Sequence, residues 1–449
     1  MYSNLRKTLG RAAAAAVIAG CLLQATSVSL VKAEAPAAGA SSSYDIVVLG
    51  DSIAAGYEHG FTEKSVPYGF GEHVYEQALF QGYRAEYSNF GILGLKSEGL
   101  SKWLLAAEAG KTVTKSDIQA SLADPRAESF FKATDKLGSE MREAELVLVS
   151  IGGNDFLQLL AKMNANTDFA ASPKAAQDEL SVFFSDLIAN YAKQLDSTFA
   201  AIQKLQPKAE VVIANQYLPV PFLTVNGQIT YLIPNSTAQF LVNGQKNLLA
   251  QLQDVVSKYA KQGLDVKIAD AASAIEKSIL SYTSINATDS EGKPDPDSHP
   301  TRAGYAQLGA AYTEPLWGAY KKVQERKPNV PISVVVGGKE IVTKYAPTIR
   351  KGRTFISIAD ITDAIGAKRT WNAKTQTASI QLDGRTVDIT IGAKTIRIDG
   401  KTVPLNADPA FLNQFPGEKK TYIPLAALSE GLGLQVVYRD TLKTAFINR

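Results

Sequence analysis

Residues 44–52 read YDIVVLGDS, in which a short apolar run ends abruptly in a Gly-Asp-Ser turn. The unbroken aliphatic stretch predicts a strand that is buried on both faces. A turn directly after such a strand places the Ser52 hydroxyl where a helix is about to begin, with backbone N–H groups pointing toward whatever the hydroxyl attacks. The sequence therefore gives Ser52 the position of a nucleophile.

Similar apolar runs recur along the chain and alternate with helical patterns. The runs cover residues 145–151, 210–214 and 264–269, and the longest helical patterns cover 175–205 and 238–262. This alternation predicts an α/β domain with a parallel sheet and helices on both faces. Ligands of such sheets bind beyond the carboxyl ends of the strands, which directs attention to Ser52 and to Asn154, which follows the second run.

An insertion of mixed polarity, residues 96–143, separates two of the predicted strands, with Trp103, Phe130 and Phe131 as its apolar anchors. Aromatic side chains at helical spacing usually belong to a core. We therefore favour an extra packed layer here, with a lid over the site as the alternative.

A serine nucleophile needs a base, and the chain has only three histidines, His59, His73 and His299. His59 lies in a loop seven residues after Ser52 and His73 in a predicted helix, so both are expected to be ordinary surface residues. His299 precedes the last helix of the domain and follows Asp295 and Asp297, whose carboxylates can orient its ring. The sequence thus favours His299 as the base.

Acyl transfer also needs hydrogen-bond donors directed at the developing oxyanion. Asn154 follows two glycines at the end of a strand and offers its side-chain amide. Gly91 follows another short strand and can bring its N–H close because it has no side chain. Together with the Ser52 N–H, these groups make three candidate donors.

These residues resemble the four sequence blocks of the SGNH/GDSL hydrolases. The blocks are, in chain order, Gly50-Asp51-Ser52, Asn89-Phe90-Gly91, Gly152-Gly153-Asn154-Asp155 and His299-Pro300. The resemblance covers about residues 44–324. It implies a flavodoxin-like three-layer α/β/α fold and a Ser–His–Asp hydrolase, whose reaction scheme requires no metal or cofactor. It also implies an oxyanion hole formed by the N–H groups of Ser52 and Gly91 and the side chain of Asn154.

The last block departs from the family pattern. The family usually has Asp three residues before the His, but Pro296 occupies that position here. The acid of the triad is therefore Asp297 or Asp295, two or four residues before His299. We favour Asp297, and Asp295 stays open.

Beyond a linker at 325–331, the chain changes to period-two strands and contains an internal repeat. Residues 354–380 align without a gap with 421–447, and each copy reads as a strand, a helix and a further strand. The segment resembles the copper amine oxidase N-terminal-like module and predicts a small α+β domain over 332–449. No His, Cys or Met follows His299, so a copper site there would have almost no ligands, and a binding or spacer module is expected.

The N-terminal segment is typical of an export signal. Basic side chains precede an apolar run within residues 1–33, and 34–43 read as a flexible leader. Cleavage after Ala33 would discard Cys21, whereas a lipobox ending at Cys21 would leave that residue lipidated. Both routes predict a secreted or cell-surface protein.

Net charge differs in sign between the two parts of the chain. There are 26 basic and 34 acidic side chains over 34–328, but 17 basic and 10 acidic ones over 329–449. Basic clusters interleaved with aromatic residues do not occur, which sets nucleic-acid binding aside.

The sequence predicts an exported serine esterase acting on a small, lipid or glycan-bound ester, with a cell-wall polymer as the candidate partner of the C-terminal domain. The alternatives are a polymer O-acetyl esterase and a surface-binding protein whose hydrolase domain is only a scaffold.

Overall fold

The computed structural model describes residues 43–163, 166–225 and 228–449. The predicted export signal, the alternatives at Cys21 and Ala33, and leader residues 34–42 lie outside the described residues. Within the described ranges, no helix is both long and apolar enough to cross a membrane.

Five parallel strands form the central sheet of the N-terminal part. The strands described in this part, which include two outside the central sheet, are β1 (Tyr44–Gly50), β2 (Ala85–Gly91), β3 (Leu146–Ser150), β4 (Glu210–Ala214), β5 (Phe222–Val225), β6 (Gln228–Tyr231) and β7 (Asp265–Ala269). The sheet has the order β2-β1-β3-β4-β7, while β5 and β6 form a separate antiparallel hairpin. The predicted strands and their parallel arrangement are confirmed.

Helices cover both faces of this sheet. They are α1 (Phe70–Gln81), α2 (Ser97–Glu108), α3 (Lys115–Gln119), α4 (Ala127–Lys132), α5 (Thr134–Glu143), α6 (Gly153–Lys162), α7 (Lys174–Leu205), α8 (Asn235–Lys261), α9 (Ala271–Glu276), α10 (Ile279–Tyr282) and α11 (Arg302–Trp317). Val47 and Leu49 pack with α2, α7 and α8, whereas Ile46 and Val48 pack with α1 and α11. Alternate residues of one strand thus supply two cores, which explains why the strand is apolar throughout.

The insertion between β2 and β3 is a packed layer. Trp103 and Phe131 are fully buried in the same core as β1, and Phe130 packs against that core. The Trp103 indole N–H donates to Thr134 Oγ1 at 3.0 Å, so its polar group is satisfied inside the protein. These contacts agree with the packed layer favoured from the sequence rather than with a lid.

The C-terminal part is a small β-rich domain. Its elements are β8 (Ser333–Val336), β9 (Lys339–Glu340), β10 (Thr348–Arg350), β11 (Arg353–Ser357), α12 (Ile358–Ile365), β12 (Lys368–Asn372), β13 (Thr377–Leu382), β14 (Arg385–Thr390), β15 (Thr395–Ile398), β16 (Lys401–Pro404), β17 (Phe411–Phe415), β18 (Glu418–Pro424), α13 (Leu425–Gly431), β19 (Gln435–Arg439) and β20 (Thr444–Asn448). The order β11-α12-β12-β13 recurs as β18-α13-β19-β20, and the two copies coincide with the sequence repeat. Parallel pairing of β20 with β8 joins the two ends of the domain.

The two domains share a core. Val335 and Phe446 belong to the cluster built on α1 and α11, and the Phe446 ring meets Phe80 edge-on at 4.8 Å. At the same interface, Arg439 Nε lies 2.8 Å from Oε1 of Glu76, whose side chain is only 1% exposed. The C-terminal domain is therefore packed against the first domain through apolar and charged contacts.

The buried ion pair at this interface leads to a prediction about the free energy of unfolding when Arg439 is replaced. Arg439→Met would leave the buried Glu76 carboxylate without its cation, and breaking a buried pair in this way destabilises by about 3–5 kcal/mol. We expect a corresponding fall in the free energy of unfolding of the full chain, measured by urea denaturation. The control is Lys443→Met, which removes the cation of the exposed pair with Asp440 and should change stability little. Equal effects of the two substitutions would contradict the assigned role of the Glu76–Arg439 pair.

Candidate active site

The turn that carries Ser52 is fixed by its backbone. The Asp51 N–H donates to the Ser150 carbonyl at 3.0 Å, and the Asp51 carboxylate accepts the Ile53 N–H at 3.0 Å. Gly50 has φ +138°, and a Cβ there would lie 1.8 Å from the Ser150 oxygen. Only glycine fits at this point, so the close approach of β1 and β3 determines where Ser52 leaves the sheet.

His299 connects Ser52 to a carboxylate. Its Nε2 lies 2.7 Å from Ser52 Oγ, and its Nδ1 lies 2.5 Å from Asp297 Oδ1. The same carboxylate oxygen accepts the His299 backbone N–H at 2.9 Å. Of the two acids left open by the sequence, the structure places Asp297 on the imidazole, whereas Asp295 is turned away toward His59.

The loop that carries His299 is held on both sides. The Asp297 N–H donates to the Ser284 carbonyl at 3.1 Å, and the Ser284 N–H donates to the His299 carbonyl at 3.0 Å. Tyr217 adds a hydrogen bond from its hydroxyl to the Ser298 carbonyl at 2.8 Å. These contacts fix the backbone between the acid and the base, and the contact of Nδ1 with Asp297 then orients the ring toward Ser52.

The pKa values of two carboxyl groups at the site shift in opposite directions. Burial works against ionisation of Asp297, but the hydrogen bonds and charge of His299 outweigh it and lower the pKa of Asp297 to about 2. Asp51 is fully enclosed, and burial raises its pKa to about 7 despite the Ile53 hydrogen bond and the His299 charge. Asp297 is therefore the carboxylate that remains ionised beside the imidazole.

The candidate oxyanion donors differ in part from expectation. Asn154 Nδ2 donates one hydrogen to the Leu95 carbonyl at 3.0 Å, which leaves its second N–H without a partner in the described part of the chain. The Gly91 N–H, in contrast, donates to Asn89 Oδ1 at 2.8 Å and is not free. A Cβ on Gly91 would lie 2.3 Å from the Ala55 nitrogen, so this glycine serves close packing against the nucleophile turn.

A second glycine, three residues after Gly91, was missed by the sequence reasoning. Gly94 has φ +82°, and among the described residues neither its N–H nor that of Ser52 has an acceptor. The Leu95 carbonyl, which accepts the Asn154 amide, belongs to the residue directly after Gly94, so the Asn154 side chain is held at the turn that carries this free N–H. Gly94 is visible in the sequence as the second glycine of NFGILG. The sequence alone does not show which of the two glycine N–H groups is already hydrogen-bonded within the protein.

The two remaining histidines have different surroundings. His73 is buried, its Nδ1 lies 2.8 Å from the Tyr320 hydroxyl, and burial lowers its pKa to about 4. The expectation that His73 is a surface residue is therefore wrong, because its ring packs inside the protein against Tyr320. His59 differs from expectation, because its ring lies against Asp297 and Asp295 rather than on an ordinary surface.

Each of the two parts of the chain matches the model of a known protein family. The family model for GDSL-like Lipase/Acylhydrolase matches residues 46–312, more than half of the chain. The chain belongs to the GDSL-like lipase/acylhydrolase family. The model for Copper amine oxidase N-terminal domain matches residues 335–447, so both resemblances drawn from the sequence are confirmed. No curated protein matches the chain.

Several solved structures are similar to the chain. A lipase from a goat rumen metagenome is 15% identical with a TM-score of 0.40, covering 62% of this chain and 100% of its own. Phospholipase A1 from Streptomyces albidoflavus is 16% identical with a TM-score of 0.35, covering 60% and 99%. A family 3 carbohydrate esterase from Clostridium thermocellum is 12% identical with a TM-score of 0.32, covering 61% and 94%.

The raised pKa of Asp51 predicts how stability depends on pH. An acid with a higher pKa in the folded than in the unfolded state stabilises the fold below pH 4, and this contribution is lost as the pH rises through about 7. Asp51→Asn does not titrate and still accepts the Ile53 hydrogen bond. We expect the variant to gain stability over the wild type between pH 4 and 8, by up to about 4 kcal/mol.

Thermal denaturation across this pH range measures the difference. Asp135→Asn, at an exposed position on α5, is the control and should follow the wild-type curve. A constant difference between Asp51→Asn and the wild type at every pH would contradict the prediction.

Proposed function

We propose that the protein is an exported serine esterase that cleaves carboxylic esters. The observation that carries the proposal is the continuous line of short contacts from Ser52 Oγ through His299 to Asp297. A nucleophile that contacts a base, with the base in contact with an ionised acid, is the arrangement that acyl transfer requires, and the family of the chain agrees with this reaction. Membership in the GDSL-like lipase/acylhydrolase family supports the ester as the bond that is cleaved.

In this proposal Ser52 Oγ attacks the ester carbonyl while its proton passes to His299 Nε2. The bond to the alcohol then breaks, and the imidazolium returns its proton to the leaving oxygen. Water attacks the acyl-enzyme, gives a proton to His299, and releases the acid as Ser52 recovers its hydrogen. Asp297 stabilises the imidazolium in both halves because it remains ionised.

The negative charge on the tetrahedral intermediate needs donors that are not already engaged. The free N–H groups of Ser52 and Gly94 and the second N–H of Asn154 meet this requirement. We assign Gly94 this role in place of Gly91, whose N–H is bound to Asn89. Gly91 instead keeps the end of β2 close to the nucleophile turn.

The remaining parts of the proposal concern place and partners. Export rests on residues 1–33, with cleavage after Ala33 or lipidation of Cys21 as the two routes, and it predicts a secreted or surface-attached enzyme. The excess of basic side chains after Pro328 favours an anionic wall polymer as partner of the C-terminal domain. Pull-down with purified wall polymers at low and high salt tests this, and absence of binding at every salt concentration contradicts it.

Removal of the nucleophile or the base should abolish turnover. We expect Ser52→Ala and His299→Ala to lose at least ~10³-fold in kcat on p-nitrophenyl acetate, butyrate and octanoate. Asn154→Ala should lose about 10²–10³-fold through the missing oxyanion donor. Unchanged thermal denaturation of each variant serves as the control for folding. Retained activity in Ser52→Ala would refute the proposed function.

The two acids before His299 form a matched pair. Asp297→Asn removes the charge that holds the imidazole, and loss of the acid in other triads costs about 10⁴-fold in kcat. Asp295→Asn makes the same chemical change two residues earlier, where the carboxylate does not contact His299, and should cost at most about threefold. Steady-state kinetics on one ester measures both. A larger loss in Asp295→Asn would reverse the assignment of the acid.

A further inference from the structure

A second imidazole lies against the acid of the proposed triad, and the reaction scheme does not use it. His59 Nδ1 is 3.3 Å from Asp297 Oδ2, and its Nε2 is 3.6 Å from Asp295 Oδ2. The side chains of His59 and Asp297 are both largely buried, at 26% and 19% exposure. The contact is thus partly shielded from water, which strengthens a hydrogen bond between the two groups.

The two oxygens of Asp297 have different partners. Oδ1 accepts hydrogen bonds from the His299 ring and the His299 backbone N–H, whereas Oδ2 faces His59 Nδ1. A carboxylate held at one oxygen can still rotate about its Cβ–Cγ bond. Partners at both oxygens fix its plane, and the plane of the carboxylate directs its hydrogen bond to His299 Nδ1.

His59 belongs to the loop that starts at the nucleophile. The Tyr57 N–H donates to the Ser52 carbonyl at 3.0 Å, and the Tyr57 carbonyl accepts the hydroxyl of Tyr305 on α11 at 2.6 Å. The Tyr57 ring meets the His299 ring edge-on, with centroids 4.7 Å apart. One short segment therefore carries Ser52, packs on the base and contacts the acid.

We propose that His59 is a positioning residue that donates a hydrogen bond from Nδ1 to Oδ2 of Asp297 and so fixes the acid for His299. The proposal rests on the proposed esterase function. The direction of donation follows from the chemistry, because an ionised carboxylate only accepts hydrogen bonds. Asp295 Oδ2, 3.6 Å from the other ring nitrogen, lies beyond hydrogen-bond distance.

The chain offers a matched set of substitutions at this position. Asn places its amide nitrogen close to the position of Nδ1, Leu has nearly the same shape without a donor, and Gln places its amide close to the position of Nε2. A donor requirement toward Asp297 predicts that His59→Asn retains kcat within about threefold. His59→Leu and His59→Gln should lose about 10–100-fold in kcat. This is the range expected when a group of the site is displaced by up to about 1 Å.

The measurement is kcat and KM on p-nitrophenyl butyrate for the full chain from residue 34. We expect KM to stay within about twofold in all three variants, because His59 acts on the acid and not on the bound ester. Thermal denaturation shows whether each variant is folded. If His59→Leu does not fold, the comparison of His59→Asn with His59→Gln still tests where the donor is needed.

Three outcomes overturn the inference. Wild-type kcat in His59→Leu would show that no donor is needed, and equal losses in His59→Asn and His59→Leu would show that shape or charge matters instead. A rise in KM with unchanged kcat would place His59 in ester binding. Failure of the proposed function is distinct from these results, because it would appear as retained activity in Ser52→Ala measured in the same assay.

Discussion

The contact between the backbones of β1 and β3 at Gly50 is the constraint on which the site depends. A side chain at this position would overlap the Ser150 carbonyl, so the two strands meet here only because residue 50 is glycine. Gly50 also pairs with Gly91 at the end of β2. Three strands therefore end at the same level, and the turns that follow them bring Ser52, Gly94 and Asn154 to one edge of the sheet. Parallel pairing, rather than any single side chain, collects the groups needed for chemistry.

The carboxyl groups around this edge have different roles, which follow from their different hydrogen-bond partners. Asp155 accepts the Ser97 hydroxyl at 2.6 Å and the Ser97 N–H at 3.0 Å, and so holds the beginning of α2. Asp51 holds its own turn through the Ile53 N–H. Burial raises the pKa of both groups, whereas His299 lowers that of Asp297. Proximity to the imidazole thus selects the one acid suited to stabilise a cation.

The sequence predicts those features that are written locally. Strands buried on both faces consist of continuous aliphatic residues, so β1, β3 and β4 are visible as runs, and turn residues after β1 and β3 reveal Ser52 and Asn154. Gly94 was missed because the choice between Gly91 and Gly94 depends on which N–H a neighbouring side chain occupies. His59 was missed because its partner Asp297 is 238 positions away in the chain. No local pattern records such a contact. The choice of Asp297 over Asp295 is favoured by the sequence, and the bonds of the loop with Ser284 and His299 support it.

Contacts at the domain interface continue toward the site. Glu76, which pairs with Arg439 of the C-terminal domain, also accepts the Tyr68 hydroxyl at 2.6 Å. The guanidinium of Arg302, in the first turn of α11, lies over the Tyr68 ring at 4.4 Å from its centroid. Arg302 is three residues after His299, so the interface and the loop of the base share one packed set of side chains. A C-terminal domain attached in this way differs from a module on a flexible tether, because its loss would expose the apolar surface around Phe80 and leave the carboxyl of Glu76 without its cation.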